Sequence, residues 1–372
     1  MYLANSQYAE YEIVEKLKNE VSGPDDIFFV AVGEKSNIDI QLFIDHCNRK
    51  KVRIFGGVFP AVINNENVSS DGINYTRMLS SHGTEIVRYL NFTDINEFNL
   101  NKLKTNIEKR TLMVLVDGLA SGIDKFLGDL YKRLGNTVNY IGGGAGSLSL
   151  KQKPCVFCND GFFDNGAVIC MIDTEVKLGV KHGWKSILGP FMATKADGNV
   201  IKELNWVTPF KLYSDIIKED IGEIINKENF FEISKNYPFG ISKDIGEFVV
   251  RDPISVTKKG DIVCVGEIHQ NSMLDILKGD KQGLIEAARE SAETVVIKNK
   301  KVKNNIIFDC ISRSLFLEDE YHKEIETIQS TLADGGNTAS VEGVLSLGEI
   351  SSYGKSYLEF FNKTILLGVF YE

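Results

Sequence analysis

The sequence predicts a two-domain protein of mixed α/β and α+β class. Three observations carry that expectation. Short, wholly apolar runs bounded by turn residues alternate with helix-period segments, the pattern of buried strands joined by crossover helices. This β-α-β pattern occurs twice before Leu150, each time running into a glycine cluster. Beyond it, short strands separated by turn residues mark antiparallel pairing. A chain of 372 residues suits two domains.

The elements follow in order. The first 23 residues read as an amphipathic helix ending at Gly23-Pro24. Asp26 to Gly33, DIFFVAVG, is an apolar run of strand length. Asn37 to Lys50 carries Ile38, Leu42, Phe43 and Cys47 near helical spacing, and Val52 to Gly57 is a second strand. The second unit has a strand at Thr111 to Gly118, a helix over Ser121 to Leu134 and a strand at Thr137 to Gly142. Gly56-Gly57 and Gly142-Gly143 fall at matching places, which indicates an internal duplication. Strands are expected within Gly72 to Leu90. Further strands are expected at Cys155 to Phe163, Gly166 to Asp173 and Val176 to His182, with a hairpin about Asp197-Gly198-Asn199. A helix opens at Pro209. The charged stretch Lys218 to Phe230 places the domain boundary, giving 24–220 and 221–372. The second domain should hold strands at Glu247–Arg251, Asp261–Glu267, Asn305–Cys310, Val341–Glu349 and Thr364–Tyr371. Its helices should lie at Lys281–Val296 and Glu318–Leu332.

Charge and composition exclude several classes. The 51 acidic and 42 basic residues leave a net charge of −9. That balance argues against nucleic acid and against anionic membrane surfaces, both of which select basic proteins. No segment approaches the ~18 apolar residues of a membrane-spanning helix. The N-terminus lacks the pattern of a secretory signal. Six scattered cysteines, several in apolar runs, fit buried free thiols in a reducing cytoplasm.

Tyr140 to Leu150, YIGGGAGSLSL, poses the main question. A phosphate loop needs a lysine after its last glycine, and a dinucleotide fingerprint needs a third glycine opening a helix. Neither is present, and KQKP follows. Two readings remain. The glycines serve close backbone packing, or Gly143, Gly144, Ala145 and Gly146 line a small-molecule site.

Cys155 and Cys158 form a lone C-x-x-C without the second pair that structural zinc requires. None of His46, His82, His182, His269 and His322 stands in a metalloprotease spacing, so no metal site is expected. No G-x-S-x-G elbow is present, and no catalytic residue is assigned. His182 and Trp184 read either as a hairpin closure or as haem or ligand contacts. Asp309, Cys310 and Arg313 lie at the end of one apolar strand, Glu349 at the end of another, and Asn362 opens the last. Arginine binds carboxylates bidentately and a glutamate accepts from an ammonium, so Arg313 and Glu349 form either a clamp for a zwitterion or a structural ion pair.

At these residues the chain resembles the FIST family, named for F-box and intracellular signal transduction. The N-terminal resemblance runs through Gly142 to Gly146, Val156 to Gly161, His182-Gly183-Trp184 and Ala193 to Leu204. The C-terminal one runs through Phe308 to Arg313, Leu347 to Ile350 and Phe361 to Thr364. The resemblance implies a cytoplasmic sensory protein that binds a small molecule such as an amino acid and is not an enzyme. It implies a separate signalling partner, such as a histidine kinase, a chemotaxis receptor or a cyclic-dinucleotide enzyme, because the chain shows no output helices. Some members bind haem and respond to nitric oxide, so a haem sensor with His182 as ligand is the alternative. A hydrolase or lyase using Cys310 or Glu349 is a further one. No other cofactor is expected.

Overall fold

The computed structural model describes residues 2–3, 10–65, 67–88, 110–243, 248–353 and 357–372. The expected strand ends at Leu90 and Glu247 lie outside these residues.

The two predicted β-α-β units are present. Strands Asp26–Gly33 and Ile54–Phe59 pair in parallel across helix Ile40–Lys50. Strands Arg110–Asp117 and Val138–Ala145 do so across helix Ile123–Leu134. A third unit stands in the C-terminal half. There Val302–Cys310 and Val341–Ser346 pair in parallel, joined by helices Ile311–Leu317 and Tyr321–Asp334. The repeat is therefore threefold.

Each unit builds a six-stranded sheet of the same order. Next to each first parallel strand lies an antiparallel return strand: Ile73–Leu79, Gly166–Ile172 or Ile365–Tyr371. An edge strand pairs with that return strand: Tyr2–Leu3, Thr84–Arg88 or Val176–Lys181. On the other side, each second parallel strand pairs with a hairpin donated by a different unit. The first unit sends Ala61–Asn64 and Asn67–Ser69 to the third sheet. The second sends Val156–Cys158 and Gly161–Phe163 to the first. The third sends Glu349–Tyr353 and Tyr357–Phe361 to the second. The single strand expected over Cys155 to Phe163 is thus a hairpin turning at Asn159-Asp160, and that expected over Val341 to Glu349 breaks at Leu347-Gly348.

Strand alternation shows where the cores lie. Phe29, Leu115 and Phe308 face a common centre shared by the three sheets. Phe28 and Val30, Val114 and Val116, and Ile307 face outward. The first of these faces is covered by helices Glu10–Glu20 and Ile40–Lys50, the second by Ile123–Leu134, the third by Lys281–Val295 and Tyr321–Asp334. Burial on both faces explains why these strands read as unbroken apolar runs.

A second body is inserted between the edge strand Val176–Lys181 and the helix Lys281–Val295 of the third unit. It has two four-stranded antiparallel sheets. They enclose Ile201, Tyr213, Ile217, Phe230, Phe239 and Ile276, with helices Pro209–Ile221 and Phe230–Ser234. Residue 220 lies in the last turn of the first of these helices.

Gly142, Gly143 and Gly144 lie inside a strand: Val138–Ala145 continues through them, beyond the strand end expected at Gly142. Gly142 stands opposite Val114, Gly56 opposite Val30 and Gly343 opposite Ile307. At each of the three, an added Cβ would fall on the carbonyl oxygen of that partner. Glycine is required because the parallel strands approach too closely for any side chain. Gly142→Ala should cost about 3 kcal/mol, the upper range of overpacking. Gly128, inside a helix with open space around it, should gain roughly 0.5–1 kcal/mol on substitution by alanine. Urea unfolding of both variants checks the contrast.

Candidate functional site

The residues singled out from sequence fall into three adjoining groups: Gly143 pairs with Glu349 across neighbouring strands, and His182 O accepts from Arg313 Nη1. Gly143, Gly144, Ala145 and Gly146 are buried at the junction of the three units. The N–H of Gly144 donates to Gly348 O and that of Gly146 to Val58 O, both at 2.8 Å. A Cβ on Gly143 would meet Gly348 O and the Phe308 ring, and one on Gly144 would meet Leu347 O. Close packing accounts for all of them.

Asp309, Cys310, Arg313, Glu349 and Asn362 form a buried network at the end of the third unit. Arg313, on the helix after its strand, is 0% exposed. Its Nε and Nη2 donate to the two Glu324 oxygens at 2.9 and 3.1 Å. Nη1 donates to His182 O and Lys363 O, and Nη2 also to Leu284 O. Asp309 Oδ1 lies 3.4 Å from Nε. A guanidinium offers five N–H donors, and the protein takes them with five hydrogen bonds. Its carboxylate partner is Glu324 rather than Glu349, because the helix Tyr321–Asp334 brings Glu324 beneath it. Glu349 Oε1 meets Ser346 Oγ at 2.8 Å, and Oε2 accepts from the Thr364 N–H at 3.3 Å.

Burial pushes the Asp309 carboxyl well above the usual range, reinforced by Glu324 and opposed by Arg313. Burial likewise raises Glu349, with Asp309 reinforcing it. The Cys310 thiol, 3.1 Å from Ser312 Oγ, is also raised by burial and then by Glu349, so it is held as a thiol. Asn362 is 3% exposed, beside Lys363, which reaches Asp252 at 3.1 Å.

His182 and Trp184 stand at an open cavity of about 440 Å³ beside helix Lys281–Val295. His182 Nδ1 accepts from the Trp184 N–H at 2.9 Å. Lys181, Lys185, Glu286 and Glu290 share the lining. These charged groups do not form the apolar slot that a haem needs.

The groups free for chemistry lie at the seam between the second unit and the inserted body. The loop after strand Arg110–Asp117 turns through Gly122, at φ 82°, and places Asp124 in the first turn of its helix. Open α/β sheets bind ligands at such strand ends. Facing it, strand Phe248–Arg251 ends in Arg251, 2% exposed. Arg251 Nε donates to Glu267 O and Nη1 to Phe360 O, both at 2.9 Å. Gly266, at φ +81°, makes room for it, since a Cβ there would come within 2.9 Å of Nε. Arg251 Nη2 makes no hydrogen bond among the described residues; it lies 3.7 Å from Asp124 Oδ2. Glu267 and His269 follow on the loop beyond strand Ile262–Cys264.

Two cavities meet here. One, of about 230 Å³, is lined by Asp124, Tyr131, Arg251, Glu267, His269 and Glu359. The other, of about 310 Å³, is lined by Gly118 to Asp124, Asn199, Val265, Glu267 and Phe360. Asp124 and Glu267 border both. Lys243 pairs with Glu359 at 2.5 Å at the rim. Burial raises the Asp124 pKa, Arg251 opposes the rise and Glu267 adds to it. Sequence reasoning missed Asp124, Arg251 and Glu267, and considered His269 only for histidine spacing. Asp124 stands more than a hundred residues before the other three, which lie within Arg251 to His269, so no single local motif joins them.

Three interlocked α/β units with an inserted β body define a mixed α/β protein of two structural bodies. The FIST N domain matches residues 27–207 and the FIST C domain residues 209–352. The chain belongs to the FIST family. FIST domains are associated with signal transduction and small-ligand sensing. No curated protein matches the chain. Among the described residues, no helix is long and apolar enough to cross a membrane.

Two outcomes follow for the buried network. Arg313→Ala leaves Glu324 buried without its partner and should cost ~3–5 kcal/mol, read by chemical denaturation. Asp309 and Glu349 have raised folded pKa values, so the folded state holds protons that the unfolded chain releases above about pH 4. Their contribution is full below that pH and is lost as pH rises through the folded pKa. Glu349→Gln should flatten the decline of Tm as pH rises above the ordinary carboxylate range.

Proposed function

We propose that this chain is the sensor module of a cytoplasmic signalling pathway and binds an amino acid or similar small metabolite at the seam. The observation that carries the reading is Arg251. Its guanidinium is buried and lines a cavity, its three hydrogen bonds go to backbone carbonyls, and Nη2 has only the 3.7 Å approach to Asp124. A buried arginine with an open donor suits an acidic ligand group, which would form a charge-assisted hydrogen bond. The carboxylates of Asp124 and Glu267 line the same cavity and suit an amino end. The larger cavity has the volume of a small-ligand pocket. The six cysteines are all free and buried, in keeping with a reducing compartment.

Recognition at a seam suits sensing. A ligand touching both Asp124 of the second unit and Arg251 of the inserted body draws the two together. The response then passes to a separate partner, such as a kinase or chemotaxis receptor. No step of this reading calls on a covalent intermediate.

A thermal-shift series across amino acids and small carboxylic acids tests it. The ligand should raise Tm by mass action, by ~2.7 kcal/mol of stability at a hundred times Kd. Asp124→Asn removes a carboxylate held at a raised pKa, so it should leave the ligand-free Tm unchanged or higher while abolishing the shift. An equal shift in wild type and Asp124→Asn would place the ligand elsewhere.

A further inference from the structure

We propose that Asp124, Glu267 and His269 hold a divalent cation, Mn²⁺ or Zn²⁺, which the small-molecule ligand completes. This rests on the seam reading above and changes one contact in it: the ligand's amino end meets the cation, which the two carboxylates hold.

The geometry begins with convergence. One ligand atom from each of the three side chains lies within 4.8 Å of the others. Among the described residues this is the one such set of three or more His, Cys, Asp or Glu. The three come from two separate segments, the first turn of helix Ile123–Leu134 and the loop of residues 265–272. Their meeting is therefore a product of the fold and not of one acidic stretch.

The second observation is that the groups are left without partners. The Glu267 carboxylate and the His269 ring make no hydrogen bond or ion pair with another described residue. Asp124 has one ion pair, the 3.7 Å approach to Arg251. That arginine is 2% exposed and lines the same cavity, and its Nη2 makes no hydrogen bond with another described residue. Asp124 and Glu267 are half-buried and His269 is exposed, so all three can be reached by an ion from solvent. Among the described residues, only the Asp124–Arg251 ion pair draws on the set.

Charge selects the occupant. Asp124 and Glu267 bring two negative charges and Arg251 one positive, while Lys243 and Glu359 cancel at the rim. A dication on this net negative ring leaves one positive charge, which a ligand carboxylate would neutralise beside Arg251 Nη2. Two carboxylates and an imidazole mix hard and borderline donors, a set that suits Mn²⁺ or Zn²⁺ better than calcium or a soft copper ion. Three protein ligands leave coordination positions open toward the cavity, as in metal sites that bind small molecules. An α-amino acid carries an amine and a carboxylate spaced to chelate a metal at such positions.

The test uses the full chain stripped with chelator and titrated separately with Mn²⁺ and with Zn²⁺. Isothermal titration reads both ions, and the bound-ion spectrum reads Mn²⁺. The expected result is one saturable site whose affinity falls by more than about tenfold in His269→Ala and in Glu267→Gln, at least the loss that removal of an outer partner brings. Glu290→Gln, on the far helix, should bind as wild type does. Absence of saturable binding by both ions, or affinity unchanged in the two site variants, overturns the metal. Thermal shifts by amino acids in stripped and loaded protein separate this proposal from the sensor reading. A metal that binds while no small molecule shifts Tm in either form upholds the site and sinks the ligand reading. A shift of equal size in both forms upholds the ligand and overturns the metal's part in it.

Discussion

The rest of the structure depends on how the open side of each parallel strand pair is closed. A strand left unpaired beside two parallel strands exposes a row of backbone donors and acceptors. Here each second parallel strand is covered by a hairpin from another unit, in a cycle that returns to its start. Ile54–Phe59 receives the hairpin of the second unit, Val138–Ala145 that of the third, and Val341–Ser346 that of the first. No unit can close its own sheet. The shared centre around Phe29, Leu115 and Phe308 then forms only when all three are present. The FIST N and FIST C domains divide the chain at residues 207 and 209, but the sheets do not divide there.

The same closure explains what was legible in the sequence. The first two units could be read because their strands are buried on both faces and their helices keep a clear period. The third unit was read in fragments. Its Val302–Cys310 strand was visible, but the first strand and its helices are separated from the edge strand Val176–Lys181 by the inserted body. Local pattern gives no account of such separation. One donated hairpin was merged into a single strand at Cys155 to Phe163, and the reading of Val341 to Glu349 joined a parallel strand to the start of another hairpin, since a hairpin and a strand have the same period of two. Gly343 was missed as the third member of the glycine set because it stands alone in VEGVLS. Its partners Gly56 and Gly142 sit in visible clusters.

The charged residues that look most functional in sequence do structural work. Arg313 has the position expected of a ligand clamp, at the end of a strand. Whether it could bind a ligand turns on its donors, and these go to Glu324 and three backbone carbonyls. Two of those carbonyls, His182 and Lys363, belong to segments that join the inserted body and the last strand. Arg313 thus ties together chain segments 131 and 50 residues away from it.

Where structural groups are saturated, the unsaturated ones gain meaning by contrast. Arg251 is as deeply buried as Arg313 and is likewise held by backbone carbonyls, yet it keeps one nitrogen open. The difference lies in what surrounds each. Arg313 sits inside one unit, where helix Tyr321–Asp334 can supply Glu324 at 2.9 Å. Arg251 sits at a seam, where its carboxylate neighbour Asp124 belongs to another body and stops at 3.7 Å. At that distance the two groups are already an ion pair, which can be tightened by moving the bodies or broken by a ligand that takes over one partner. Either event changes how the bodies meet, and a binding event coupled to such a change is what a sensor requires.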